Sequence, residues 1–199
     1  MADFRAIGTV CETVMQVLRM HYRPEDFNNE LEFKVYLARN FTQPMSGGVS
    51  LLLYRVFPNG SHRTPAGRLG PGGRRYRTQL PLDLHFLLTA WGKDASLQHT
   101  IAGWMMRVLE DTPILPAALL NATSPGVFPS DEAVEIGLTE LSTEDLLRLW
   151  SDLVQNTYQL SVPYVARNVR IESTESVEPG PPVQERGYDY RQVVVESPR

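Results

Sequence analysis

The stretch Leu80-Pro-Leu-Asp-Leu-His-Phe-Leu-Leu-Thr-Ala-Trp91 decides the fold. Side chains alternate between the faces of a strand, so Leu80, Leu82, Leu84, Phe86 and Leu88 share one apolar face, and Asp83, His85, Leu87 and Thr89 share the other. The pattern is that of a central strand. Its second face is half apolar, which predicts a cover supplied by a partner or a neighbouring subunit. After Gly92, Asp94 or Ser96 is placed to cap a helix running to about Leu109, with Leu97, Ile101, Trp104, Met105 and Val108 as its apolar stripe.

Working outward, Val49 to Phe57 is almost continuously apolar, which predicts a strand buried on both faces and a natural neighbour for the Leu80 strand. Leu31, Phe33, Val35 and Leu37 alternate with polar residues as a strand with one wet face. From Ala6 to Leu18, Ile7, Val10, Cys11, Val14 and Leu18 fall on one helical face, and Arg23-Pro24 closes that segment. Pro116 opens a short helix through Leu120, Asn121 to Asp131 reads as a loop, and Val134, Ile136 and Leu138 form another half-buried strand. Ser142 with Asp145 is a variant capping box for a helix to about Leu153, burying Leu146, Leu149, Trp150 and Leu153. The final strand spans Tyr158 to Ile171, and Pro163 within it argues for an edge or a bulge. The sum is an α/β (α+β) domain over residues 1–172, a mixed, mostly antiparallel sheet packed against two to three helices, followed by an extended tail, 173–199.

Two segments stand outside that pattern. Pro58 to Gln79 carries Arg63, Arg68, Arg74, Arg75 and Arg77, five glycines and no acidic residue, so a long mobile excursion is expected. A phosphate-cradling loop would need Gly-Lys-Ser or Gly-Lys-Thr running into a helix, and Gly-Pro-Gly-Gly-Arg-Arg has neither. A nucleic-acid clamp would have only Tyr76 for stacking. A loop that orders against an acidic protein partner is the preferred functional reading, beside the plain one of a solvated loop. In the tail, Val193-Val194-Val195 is the one β-prone run, suited to strand addition at a neighbouring sheet edge.

Composition narrows the classes. A formal charge of −4 over 199 residues gives no global attraction to nucleic acid, leaving the arginine segment as the one local patch. The single cysteine, Cys11, rules out an internal disulfide framework and reads as a core residue. No apolar run approaches the ~20 residues of a membrane span, and the amino terminus lacks a signal pattern. His21, His62, His85 and His99 lack metal spacing, and no serine sits in a nucleophile elbow. Asp83 and His85 share a strand face without an identifiable nucleophile, so an interface pair is the better reading than a general base. No catalytic residue, cofactor, metal or small-molecule substrate is expected.

Three blocks extend the reading. They are Val49-Ser-Leu-Leu-Leu-Tyr-Arg-Val-Phe-Pro-Asn59, Leu80 to Gly92, and Leu141-Ser-Thr-Glu-Asp-Leu-Leu-Arg-Leu-Trp150 continuing to Tyr158-Gln-Leu-Ser-Val-Pro-Tyr-Val-Ala-Arg167. In order and separation they resemble the amino-terminal domain of the cap, or tail-terminator, proteins of extracellular contractile injection systems, over roughly Phe4 to Ile171. The resemblance implies a tail-terminator-like fold and a structural role. Similar subunits form a hexameric ring that closes the inner tube and engages the last layer of contractile sheath. It also implies assembly in the cytoplasm, within a particle that stays inside the cell or is released. The alternative is a terminator or connector of an ordinary phage tail; a nucleic-acid module ranks below both. Contacts of the arginine segment, of Asp83 and His85, or of Val193 to Val195 with sheath, tube or ring neighbours are this article's own expectation. Some family members extend beyond this domain, so roles that belong to an additional domain do not carry over.

Overall fold

The computed structural model describes residues 2–27, 30–62, 68–69, 73, 75–153, 158–173, 175 and 177. Among the described residues there are four α-helices, α1 (Ala6–His21), α2 (Ala95–Asp111), α3 (Ala117–Thr123) and α4 (Thr143–Leu153). The strands are β1 (Glu32–Tyr36), β2 (Gly48–Pro58), β3 (Arg68–Leu69), β4 (Arg75–Tyr76), β5 (Leu80–Trp91), β6 (Ile114–Pro116), β7 (Ala133–Leu138) and β8 (Ser161–Ile171). Six of them form one sheet in the order β1-β2-β5-β8-β7-β6, while β3 and β4 pair with each other. Only β1 and β2 run parallel; the other pairs in the sheet are antiparallel.

The Leu80 strand is therefore central, between β2 and β8. Its first face, Leu82, Leu84, Phe86, Leu88 and Ala90, packs into the main core with Val10, Val14 and Leu18 of α1, Ile101 and Met105 of α2 and Leu120 of α3. Leu80 stays outside this core and is 47% exposed. Cys11 sits in this core, where burial pushes its thiol up to about 12. It is an inert apolar filler.

The second face of β5 departs from expectation. At its carboxyl end, Leu87 and Trp91 join Tyr36, Phe41, Met45, Leu52 and Trp150 in a separate cluster. The cover is thus this chain's own α4 and the 3-10 turn Ala38–Thr42, not a partner. Helix α4 begins where Ser142 Oγ accepts the Asp145 N–H at 3.0 Å, and α2 where Asp94 accepts the Leu97 N–H at 2.8 Å. Both caps were legible. So was the buried side of α4, where Leu146, Leu149 and Leu153 flank Trp150.

Strand β2 is buried only over its first half. Gly48 to Leu52 are inside, but Arg55 to Pro58 are exposed. Gly48 is required at the start: its φ is +141°, and a Cβ there would stand 2.0 Å from the Glu32 carbonyl oxygen of β1. Pro163 is not on an edge strand, since β8 lies between β5 and β7. The β7–β8 pairing reaches Leu138 and Tyr164, and Pro163 offers only its carbonyl to Thr139 N–H at 3.2 Å. Its missing donor coincides with the end of the β7–β8 ladder, where only one bond of the Thr139–Pro163 pair can form.

Candidate assembly surfaces

Two register shifts flank the Asp83–His85 segment. On the β2 side Leu53 faces Phe86 and Arg55 faces His85, leaving Tyr54 as the extra residue. On the β8 side Leu82 faces Val169 and Leu84 faces Ala166, so Arg167 and Asn168 stand opposite Asp83 alone. Asn168 takes φ +57°, a bulge conformation in which its freed N–H needs an acceptor. Asp83 supplies it: Oδ1 accepts from Asn168 N–H at 2.9 Å, and both carboxylate oxygens accept from the Asn59 amide at 3.1 Å. The carboxylate is occupied in holding the bulge. No hydrogen bond joins it to the His85 ring among the described residues.

His85 instead belongs to an open half-face of the sheet. Arg55 pairs with His85, Phe57 with Asp83, and Arg167 with Glu135 across the strands, so these residues project on one side. Arg55 lies over the Phe57 ring, its guanidinium carbon 4.7 Å from the centroid. Burial first, then the charges of Arg55 and Arg167, lower the pKa of His85, with Asp83 opposing. Beside this face, Tyr54 projects toward α4 and bounds a groove of about 240 Å³ together with Leu141, Asp145, Arg148, Leu149 and Asp152.

The arginine segment is not irregular throughout. β3 and β4 pair antiparallel, setting Arg68 opposite Tyr76 and Leu69 opposite Arg75. The other side of β4 meets the chain beyond β8. Arg77 N–H donates to the Glu175 carbonyl at 3.4 Å, and Val177 N–H donates to the Arg75 carbonyl at 2.7 Å. Arg77 also forms an ion pair with Glu175 at 2.9 Å, and the Gln79 amide reaches the Glu172 carboxylate at 2.7 Å. Beyond the β5–β8 ladder, which ends at Leu80 and Ile171, these contacts of Arg75, Arg77 and Gln79 with Glu172, Glu175 and Val177 form an arm. Arg75 and Arg77 are held here because a neighbouring backbone satisfies the Arg77 donor and the Arg75 acceptor.

Of the residues singled out by sequence, Arg68, Arg75 and Arg77 meet on this arm, and Asp83 and His85 at the bulges. Arg63, Arg74 and Val193 to Val195 lie outside the described residues. Arg55, Arg167, Tyr54 and the Asp145–Asp152 groove escaped the sequence reading. A charge count by segment would have flagged part of this, since residues 131–152 hold seven carboxylates against one arginine. Among the described residues no group of three or more His, Cys, Asp and Glu is placed to hold a metal, and no helix is long and apolar enough to cross a membrane.

With the fold in hand, the sequence of residues 9–185 matches the Pvc16 N-terminal domain. The chain belongs to that family. Two of the solved structures that match are similar to it in fold. One is the sheath/tube terminator, in its extended state, of an extracellular contractile injection system, PVC: TM-score 0.61 at 15% identity, covering 95% of this chain and 64% of that one. The other is the tube-terminating cap of the anti-feeding prophage, also TM-score 0.61 at 15% identity, covering 91% of this chain and 60% of that one. The chain thus spans less than two thirds of the length of either structure. No curated protein matches it by sequence.

Proposed function

We propose that this chain is a structural cap, a tail terminator of a contractile injection particle, acting without catalysis or cofactor. The supporting observation is family membership over residues 9–185, in a fold shared with a sheath/tube terminator and a tube-terminating cap. In this reading residues 1–172 form the cap domain, and identical copies close a six-membered ring on the end of the inner tube and engage the last sheath layer. A closed ring needs two different complementary surfaces on each subunit. The arm and the open half-face with its groove are two such surfaces. Nucleic acid is not a partner in this reading, and assembly takes place in the cytoplasm.

Absolute mass by light scattering tests it, on the purified chain alone and then with the tube and sheath proteins of its own particle. A six-subunit species, alone or on mixing, is the expected result. A monomer that ignores both partners would overturn the reading.

A further inference from the structure

We infer that two copies of this chain join head to tail, the arginine arm of one seated in the groove between Tyr54 and α4 of the next. The inference rests on the cap reading and names the surface that would build its ring. Charge is divided unevenly along the chain. Residues 49–82 hold six arginines and no carboxylate, while residues 131–152 hold seven carboxylates and one arginine. Within them the fold separates the arm from α4: the arm leaves the sheet at Leu80, whereas α4 is seated over the Trp91 end of the same strand.

The groove has the chemistry of an arginine socket. Tyr54, Leu141 and Leu149 give apolar walls for an aliphatic stem, and Asp145 and Asp152 give carboxylates for a guanidinium. Its own cation, Arg148, is already engaged by Glu144 at 3.2 Å. Exposed Leu147, on the outer side of α4, adds apolar surface for a neighbour. An arm that keeps the direction of the β5–β8 ladder does not fill its own groove. Arg77 precedes His85, which stands beside Tyr54, by eight positions, a rise of roughly 26 Å along a strand. The socket is therefore open to a second copy. Arm-in-groove is a heterologous contact, the kind that closes into a ring when its rotation permits.

Charge exchange in the full-length chain tests this. Arg75→Glu/Arg77→Glu and Asp145→Lys/Asp152→Lys should each weaken self-association, measured by sedimentation, at least tenfold. An equimolar mixture of the two should restore it, because each reversed arm then meets a reversed groove and each native arm a native one. Where the double lysine variant loses helix signal, Asp152→Lys, which leaves the Ser142 cap intact, takes its place. Variants that assemble like the unaltered chain, or a folded pair that fails to restore assembly, overturn the inference while leaving the cap reading standing. An unaltered chain that stays monomeric with its tube and sheath removes both.

Discussion

Trp91 and Trp150 lie in one aromatic cluster, their rings 6.3 Å apart, yet their indole N–H groups have opposite surroundings. Trp91 donates to the buried Ser50 hydroxyl at 2.8 Å, whereas Trp150 Nε1 is buried and finds no hydrogen-bond partner among the described residues. Replacing Trp91 by Phe strands Ser50, a loss of about 1–3 kcal/mol on top of the packing change. Trp150→Phe deletes a donor that was already unsatisfied. Urea unfolding should therefore show the first variant less stable than the second by about 1–2 kcal/mol, with unchanged denaturant slope. His85 gives a second prediction at this scale. Its pKa is lowered in the folded protein, so between the folded and unfolded values the unfolded chain binds more protons. The contribution of His85 to stability is present above about pH 6.5, the unfolded value, and is lost as pH falls through the folded one. Melting temperatures from pH 8 to pH 5 should fall less steeply for His85→Gln than for the unaltered chain, and parallel curves would exclude the effect.

At the scale of elements, the arm depends on residues distant in sequence. Val177→Pro removes the N–H bonded to the Arg75 carbonyl, and exchange of the Arg77 amide should accelerate about tenfold or more, the factor set by ~1.4 kcal/mol of protection. Amides of Leu84 to Leu88 should keep their protection, since β2 and β8 flank them on both sides. The same distance explains which elements sequence could reveal. Helices α1, α2 and α4 and strands β1, β5 and β7 announce themselves by local period and caps, because each carries its own apolar stripe. The bulges at Tyr54 and Asn168 are properties of a pairing, and neither strand alone shows the extra residue. The cover over Leu87 and Trp91 is of the same kind. A half-apolar face states that something must lie on it, but which element does so is settled by where α4 returns in space. The contacts of Arg75 and Arg77 with Glu175 and Val177 are of this kind too: Gly and Arg content describes Pro58 to Gln79 in isolation and says nothing of a partner about 100 residues on.

For the whole molecule, the two bulges mark a change of character along the sheet. On one side both faces are covered by the chain's own helices; on the other lie the open half-face and the arm. The interior half supplies rigidity, and the open half carries the surfaces that the proposal assigns to neighbours. The arm beyond the β5–β8 ladder also bears on how the molecule is made. During translation, β5 leaves the ribosome about 80 residues before its partner β8, and closing so long a loop slows pairing. Until residue 177 has emerged, the nascent chain has one unpaired edge on β5 and an arginine strand whose final neighbour is still unmade. On the proposed arm-in-groove contact, an arm finished so late would keep a half-synthesised subunit from engaging another copy, and synthesis itself would set the order in which folding and assembly begin.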